Sequence, residues 1–307
     1  MNWLNIMGWV WIPLSIGAAA AQTIRNFAQR AVTKQAGTLG ATMVRFLFGL
    51  PFALAFVLAL YLFTSLPMPV FSLRYFGWIV IGALTQIAAT ALMLAAMKEK
   101  NFVVSIVLSR TDIIQVALLS AVLLGELPTV VSMIAIAGAT VGTLMLSAPR
   151  SGSLGLEASG NSIRAILYGL GSGAAFALSS TGFRGAALQM PGTSVWMIGA
   201  WGVLWAQVLQ SVVMGLWLAA RNRDALKAVG AAWRTSLLAG CTGTLASVGW
   251  LTCFALRPAA DVRTLGLVEV LFSYLVSRRM LRERLSPREA AGLILIAVSL
   301  VLICLQL

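Results

Sequence analysis

The sequence predicts an all-α membrane protein, with ten transmembrane helices in two inverted five-helix repeats around a central cavity. Three observations lead to this prediction: an apolar composition, ten long apolar segments, and a similarity between the two halves of the chain. Of the 307 residues, 60% are apolar and 10% are charged, and the mean hydropathy is +0.92. Soluble domains carry about 25% charged residues. This chain therefore has too few charged residues to cover a surface that faces water.

The ten segments follow from the length that a bilayer requires. A spanning helix needs about 20 mostly apolar residues, and turn residues or charges such as KEKN, GELP and QMPG separate the candidates. The apolar runs are continuous, which favours helices over the alternating strands of a closed barrel. The predicted spans are 5–28, 38–64, 75–97, 102–124, 128–148, 162–186, 194–219, 233–256, 262–281 and 288–306.

The two halves of the chain resemble each other when compared without gaps. SRTDIIQVALLSAVLLGE, which starts at Ser109, aligns with GLVEVLFSYLVSRRMLRE, which starts at Gly266. This alignment pairs Asp112 with Glu269, and each stretch ends in glutamate. The predicted repeats are 1–148 and 162–307, and a Gly- and Ser-rich connection, 149–161, joins them. Because each repeat has an odd number of spans, the second repeat enters the membrane from the opposite side, as in many secondary transporters.

The motif LLGE ends the fourth predicted helix, and LRE ends the ninth. With these motifs the chain resembles the drug/metabolite transporter superfamily. It is most similar to the EamA-type branch, which includes the YddG-like amino-acid exporters. The resemblance implies a secondary transporter that exports small metabolites, with amino acids as the expected class, by alternating access. The alternative is a facilitator, or an exporter of another solute class such as drugs or phosphorylated sugars.

The basic residues predict the orientation. Of the 22 lysines and arginines, 16 lie in loops on the side reached after the first helix, 4 lie in loops on the other side, and Arg45 and Arg110 lie within spans. Positive loops stay in the cytoplasm, so both termini are predicted outside a bacterial-type inner membrane. The cluster RRMLRER is expected to contact anionic lipid headgroups.

Several classes of function are not expected. The net charge of +13 is explained by the orienting loops, so nucleic acid is not an expected partner. The chain has no histidine, and its three cysteines show no metal-binding spacing, so neither a metal nor a cofactor is expected. Without an HExxH or GxSxG motif an enzyme is not expected either. One chain holds both repeats, so a monomer is sufficient.

Charged side chains within the predicted spans are the strongest functional candidates. An ionised group at the membrane centre costs about 2.5–3.5 kcal/mol on insertion scales. Asp112 and Glu269 occupy equivalent positions in the two repeats, and an inverted repeat directs such positions at one cavity. Arg110 lies two residues from Asp112 and therefore points to a different face of the helix.

Three interpretations of these acids stay open. A carboxylate could contact the ammonium group of the substrate. It could carry the coupling proton, because burial raises a carboxyl pKa. It could instead form an ion pair that fixes helix packing, with one of three arginines: Arg45, Arg110 or Arg263.

Uncharged polar residues within the spans outline a route through the bundle. Gln86 and Thr90 are four residues apart and share one face of a helix. Amides and hydroxyls can bind a zwitterion, although interhelical hydrogen bonds, worth about 0.6 kcal/mol on average, also explain them. The predicted substrate path comprises Gln22, Thr23, Gln86, Thr90, Ser109, Asp112, Ser179, Thr244, Ser247, Trp250 and Glu269.

Overall fold

The structure is a computed structural model that describes residues 3–96, 109, 111–147, 160–272 and 286–306. Over these residues the secondary structure is helical, and no strand is present. The helices are α1 Trp3–Leu47, α2 Leu50–Phe63, α3 Leu73–Ala96, α4 Asp112–Leu124, α5 Val130–Ser147, α6 Gly160–Leu188, α7 Val195–Arg221, α8 Arg223–Ala231, α9 Trp233–Leu256, α10 Ala259–Leu265 and α11 Pro287–Cys304.

Five helical segments of the described chain are long and apolar enough to cross a membrane. They correspond to the second, third, seventh, eighth and tenth predicted spans: Gln35–Phe63, Leu73–Ala96, Val195–Arg221, Trp233–Leu256 and Pro287–Cys304. Two shorter apolar helices, α4 and α5, fall within the fourth and fifth predicted spans. The first and sixth predicted spans lie within α1 and α6, whose polar residues lower their hydropathy. The described helices are therefore compatible with a multi-pass membrane protein.

The boundary between the first two predicted spans differs from the prediction. Residues 29–37 were expected to form a loop, but α1 continues through them and bends at Gly37. The backbone angles of Gly37, φ 69° and ψ −178°, belong to a region that only glycine occupies readily. Between Gly17 and Gly37 the chain has no proline or glycine that could end the helix earlier.

The ninth predicted span, 262–281, is not one continuous helix in its described part. Helix α10 ends at Leu265, a turn occupies residues 266 and 267, and helical structure resumes at residue 268. Glu269 and Val270 donate their backbone N–H groups to Gly266 and Leu267, three residues back. Such tight bonds are typical of a helix start, so Glu269 lies in the first turn of the resumed helix.

The chain forms two compact units, and the first comprises Met1–Ile87 and Ser179–Pro258. Within it α1 packs along α9, and α7 packs against both α2 and α9. Small residues permit this close packing, because a Cβ atom at Gly249 would lie 2.8 Å from the Cβ atom of Ala18. This unit contains the candidate cavity.

The second unit comprises Ala88–Leu178 and Ala259–Leu307. Helix α5 packs on α11 through Gly142, where a Cβ atom would lie 2.8 Å from the carbonyl oxygen of Gly292. Helix α10 packs against α4 in the same unit. Each unit combines segments from both halves of the sequence, so the packing units and the predicted sequence repeats divide the chain differently.

Candidate functional site

A small, partly open cavity with room for about one water molecule lies inside the first unit. Its polar lining comes from four side chains on α3, α7 and α9: Gln86, Gln207, Gln210 and Ser247. Aromatic rings complete one wall, among them those of Phe46 and Phe183. The cavity therefore places amide and hydroxyl groups in the interior of the first unit.

The orientation of the Gln207 amide follows from the bonds of Thr244. The Thr244 hydroxyl donates its one proton to the backbone oxygen of Gly49 at 3.1 Å. Thr244 Oγ1 can then only accept from Gln207, so the Nε2 atom of Gln207 must face it, at 2.9 Å. The Oε1 atom of Gln207 faces the other way. It is buried and makes no hydrogen bond with any described residue.

A similar argument fixes the Gln210 amide. Its Nε2 atom donates to the backbone oxygen of Ala83 at 3.0 Å and to Oε1 of Gln86 at 2.9 Å. A carbonyl oxygen only accepts, so the NH₂ group must occupy this position and both of its protons are used. The Oε1 atom of Gln210 is left buried, without a hydrogen-bond partner among the described residues.

The two remaining oxygens belong to neighbouring positions on one helix. Gln207 and Gln210 are three residues apart on α7 and therefore share a face. Their side chains are 3% and 0% exposed, so water does not reach them from outside. A buried acceptor without a donor costs about 1–3 kcal/mol. The described residues therefore leave these two oxygens unsatisfied.

Two buried arginines lie near this cavity. The guanidinium carbon of Arg45 is 5.3 Å from the ring centre of Phe46, which lines the cavity. Stems of Arg25 and Arg45 cover Gly243, where a Cβ atom would lie 3.2 Å and 3.4 Å from their methylene carbons. Asp224 is the one acidic residue in this unit, and its side chain is 94% exposed, beside Lys227. The interior of the unit is therefore positive.

Other residues of the predicted path in this unit make hydrogen bonds between or within helices. Trp250 Nε1 donates to Oε1 of Gln22 at 3.1 Å, which joins α9 to α1. Ser179 donates to the backbone oxygen of Gly82 at 2.9 Å, where α6 and α3 approach closely. The Thr23 hydroxyl donates to Ala19 within its own helix at 3.0 Å.

The second unit holds Asp112 and Glu269, the two acids singled out in the predicted spans, and both are buried. Asp112 lies in the first turn of α4 and accepts a hydrogen bond from Nη2 of Arg263 in an ion pair. Glu269 lies in the first turn of the helix that resumes at residue 268. Carboxylates are stabilised at such positions by the helix dipole. Arg263 is one of the three arginines that the packing interpretation named.

The remaining predicted residues are placed as follows. Thr90 is buried in α3, and Ser109 is half-buried; both belong to the second unit. Arg110 lies outside the described residues. The described residues among them thus fall into two groups, one in the first unit and one in the second unit.

Sequence reasoning did not select Gln207, Gln210 or Arg25 as site residues. A signal for the glutamines was present, because amides at i and i+3 are conspicuous in the apolar run from Val195 to Arg221. Arg25 was counted with the basic loop residues, although it lies near the end of the predicted span 5–28. Its burial depends on the continuation of α1 and on the small residue Gly243.

No family model matches the chain, and no curated protein matches it either. Solved structures do match it. One of them, described as "Crystal structure of protein", shares 19% sequence identity and a TM-score of 0.61, over 94% of this chain and 94% of that chain. At this identity the likeness shows the fold alone. The function must therefore be argued from the residues of this chain.

Proposed function

We propose that the protein is a secondary transporter that exports small metabolites, with amino acids as the expected class, across the inner membrane. The observation that carries this proposal is the polar cavity in the first unit. Its polar residues Gln207 and Gln210 are the 13th and 16th of the 27 residues of α7, a helix long enough to span a bilayer. Transporter sites typically lie near the bilayer midplane.

The mechanism we propose is alternating access in an EamA-type protein of the drug/metabolite transporter superfamily. Ten spans in an inverted repeat would supply the two equivalent arrangements that such a mechanism needs. The acids Asp112 and Glu269, which the alignment pairs, support this reading because both lie at helix starts. Broken helices at paired positions are a common feature of transporter sites.

The ion pair bears on how transport is driven. Asp112 forms an ion pair with Arg263 across two helices, and this contact favours a packing role for that acid. We propose Glu269, which the repeat alignment pairs with Asp112, as the acid for proton coupling. The distinction matters because a chain without a coupling acid is a facilitator.

The test is transport by the purified protein in proteoliposomes. Vesicles loaded with unlabelled L-leucine should accumulate labelled L-leucine by counterflow, and an imposed pH gradient should drive accumulation. If Glu269→Gln abolishes gradient-driven accumulation and spares counterflow, while Asp112→Asn does not show this pattern, Glu269 couples protons. If the pH gradient has no effect on the wild type, the protein is a facilitator. Absence of counterflow for every amino acid tested contradicts the proposed class.

A second solute class is favoured by one observation. Phosphate carriers need paired cations in the core. The alignment of the two repeats shows no such pair at Arg110, because this residue aligns with the uncharged Leu267. The structure brings Arg25 and Arg45 together over Gly243 instead. Counterflow of glucose 6-phosphate in the same vesicles tests this alternative. Transport of the sugar phosphate without transport of L-leucine would replace the amino-acid proposal.

A further inference from the structure

We infer that the connection between α7 and α9 binds anionic phospholipid headgroups at the membrane surface, through the cationic face of α8. This lipid contact does not depend on which solute the protein transports, so it goes beyond the proposed function. Three observations support it: two membrane-length helices that fix the position of α8, a cationic helix face that points away from the protein, and exposed tryptophans on either side of α8.

The position of α8 follows from its neighbours in the chain. Val195–Arg221 and Trp233–Leu256 are each long and apolar enough to cross a membrane. Residues 222–232 connect them, and α8 takes up most of this stretch. A helix of nine residues is only about 14 Å long, so the connection cannot extend far from the bilayer. Helix α8 therefore lies at the membrane surface, where the two spans end.

The orientation of α8 follows from its packing. Its buried side chains, Ala225 and Val229, are four residues apart, and α8 packs on α1. A Cβ atom at Gly40 of α1 would lie 3.3 Å from Cγ2 of Val229. Arg223 and Lys227 are also four residues apart, and both are exposed. At 3.6 residues per turn they lie opposite the buried pair, so the packing of α8 directs both cations away from the protein.

The connection carries an excess of positive charge. Between residues 221 and 234 four side chains are basic and one is acidic, so the net charge of this stretch is +3. The basic residues are all exposed: Arg221, Arg223, Lys227 and Arg234. The acid is Asp224, which lies 3.5 Å from Lys227, and the two side chains are 94% and 81% exposed. An ion pair so open to water is weak, so the face stays cationic.

Two tryptophans place these cations at the depth of the headgroups. Trp217, near the end of α7, and Trp233, the first residue of α9, are 46% and 53% exposed. Tryptophan is enriched where the apolar core of a bilayer meets its headgroup region. The guanidinium carbon of Arg234 lies 5.4 Å from the ring centre of Trp233. Exposed rings beside cations match a surface that offers acyl chains and phosphates together, which phosphate in solution does not.

The first experiment measures which lipids surround α8 in the full-length protein. The three cysteines are replaced by alanine, and a cysteine at the exposed residue Ala231 is labelled with bimane before reconstitution into phosphatidylcholine vesicles. Quenching by spin-labelled phosphatidylglycerol is compared with quenching by spin-labelled phosphatidylcholine. We expect at least about fivefold tighter binding of phosphatidylglycerol at low salt, and a smaller preference at about 1 M salt. Equal quenching by the two lipids, or a preference that salt does not change, overturns the inference.

The second experiment removes the cations in the same labelled protein. The triple variant Arg223→Gln, Lys227→Gln and Arg234→Gln should lower the preference for phosphatidylglycerol at least about fivefold. The variant Arg223→Lys with Arg234→Lys keeps the charge and should retain most of the preference. This comparison separates lost charge from altered packing. A loss in the lysine variant as large as that in the glutamine variant contradicts a role for charge.

Two controls exclude other sources of the signal. One variant removes three exposed arginines from other helices: Arg74→Gln, Arg164→Gln and Arg288→Gln. It has the same net charge as the triple glutamine variant of α8 and should retain the preference. Equal losses would assign the effect to net charge and overturn the role of α8. Inorganic phosphate should act no more strongly than sodium chloride of equal ionic strength. Specific competition by phosphate would show a site for soluble anions instead of lipid.

Discussion

Arg263 in α10 and Asp112 at the start of α4 form an ion pair that joins two helices of the second unit. The two residues are 151 positions apart and come from different halves of the sequence. Arg263 also lies over the ring of Phe176, with its guanidinium carbon 5.9 Å from the ring centre. A long-range pair of this kind stabilises a tertiary arrangement that neither half of the chain forms alone.

Removing one partner of the pair should destabilise the protein more than removing both. Asp112→Asn leaves Arg263 without its counter-charge, which costs about 3–5 kcal/mol for a fully buried pair. We expect the lower end, because the Arg263 side chain is 19% exposed. The double variant Asp112→Asn with Arg263→Met should recover most of this loss. Thermal unfolding in detergent measures all three proteins, and a double variant as unstable as Asp112→Asn would contradict the interpretation.

The contact between α5 and α11 should not tolerate a larger residue. A side chain at Gly142 would meet the carbonyl oxygen of Gly292 and the side chain of Ile296, both at 2.8 Å. Gly142→Leu should therefore lower stability by about 1–3 kcal/mol, through overpacking. Gly77→Leu is the control, because nothing lies within 4 Å of a Cβ atom there. Equal melting temperatures for the two variants would contradict this account of the packing.

The bend in α1 should depend on glycine at one position. Nothing lies within 4 Å of a Cβ atom at Gly37, so Gly37→Ala tests backbone conformation alone. We expect a loss of about 1–3 kcal/mol, the cost of a strained backbone region. Gly17→Ala, in the same helix and equally unobstructed, should be neutral or stabilising. Urea or SDS unfolding would show whether the two variants differ.

Thr244 should be necessary for the orientation of Gln207. Thr244→Val keeps the side-chain shape but removes a hydroxyl that bonds Gly49 and Gln207 at once. The loss should be about 1–3 kcal/mol for the groups left unsatisfied. Thr242→Val is the control, because that hydroxyl bonds only Leu238 in its own helix. Matching losses in both variants would show that Thr244 has no special role.

The predicted orientation can be tested by labelling. In a protein whose three cysteines are replaced by alanine, a cysteine at Pro191 should react with a membrane-impermeant maleimide on intact cells. A cysteine at the exposed residue Asp224 should react only after the cells are permeabilised, because the loop before α9 is predicted to be cytoplasmic. The reverse pattern would invert the assigned topology.

The helical class and most helix positions could be predicted from the sequence, because long apolar runs have few alternatives in a membrane. The eighth predicted span, 233–256, coincides with α9. The bend at Gly37 and the turn after Leu265 could not be predicted, because hydropathy does not report backbone angles. Both lie within segments whose composition allows a helix to continue.

The candidate site was predicted in part. Gln86, Thr244 and Ser247 were selected as polar residues in apolar spans, and they contact or line the cavity. Which amide oxygens remain free depends on donors from distant segments, such as Thr244 bound to Gly49, 195 positions away. The pairing of Asp112 with Arg263 likewise required the tertiary structure to choose among three arginines. Sequence therefore indicated which residues were candidates, but not their partners.

The buried guanidinium of Arg45 has a consequence for the permeability of the protein. A pathway through a membrane must not leak protons or sodium, because leakage would dissipate the energy stored across it. The one acidic residue of this unit is on its surface. A fixed positive charge in the interior therefore repels small cations. In the proposed transporter, Arg45 would therefore oppose the leak of small cations.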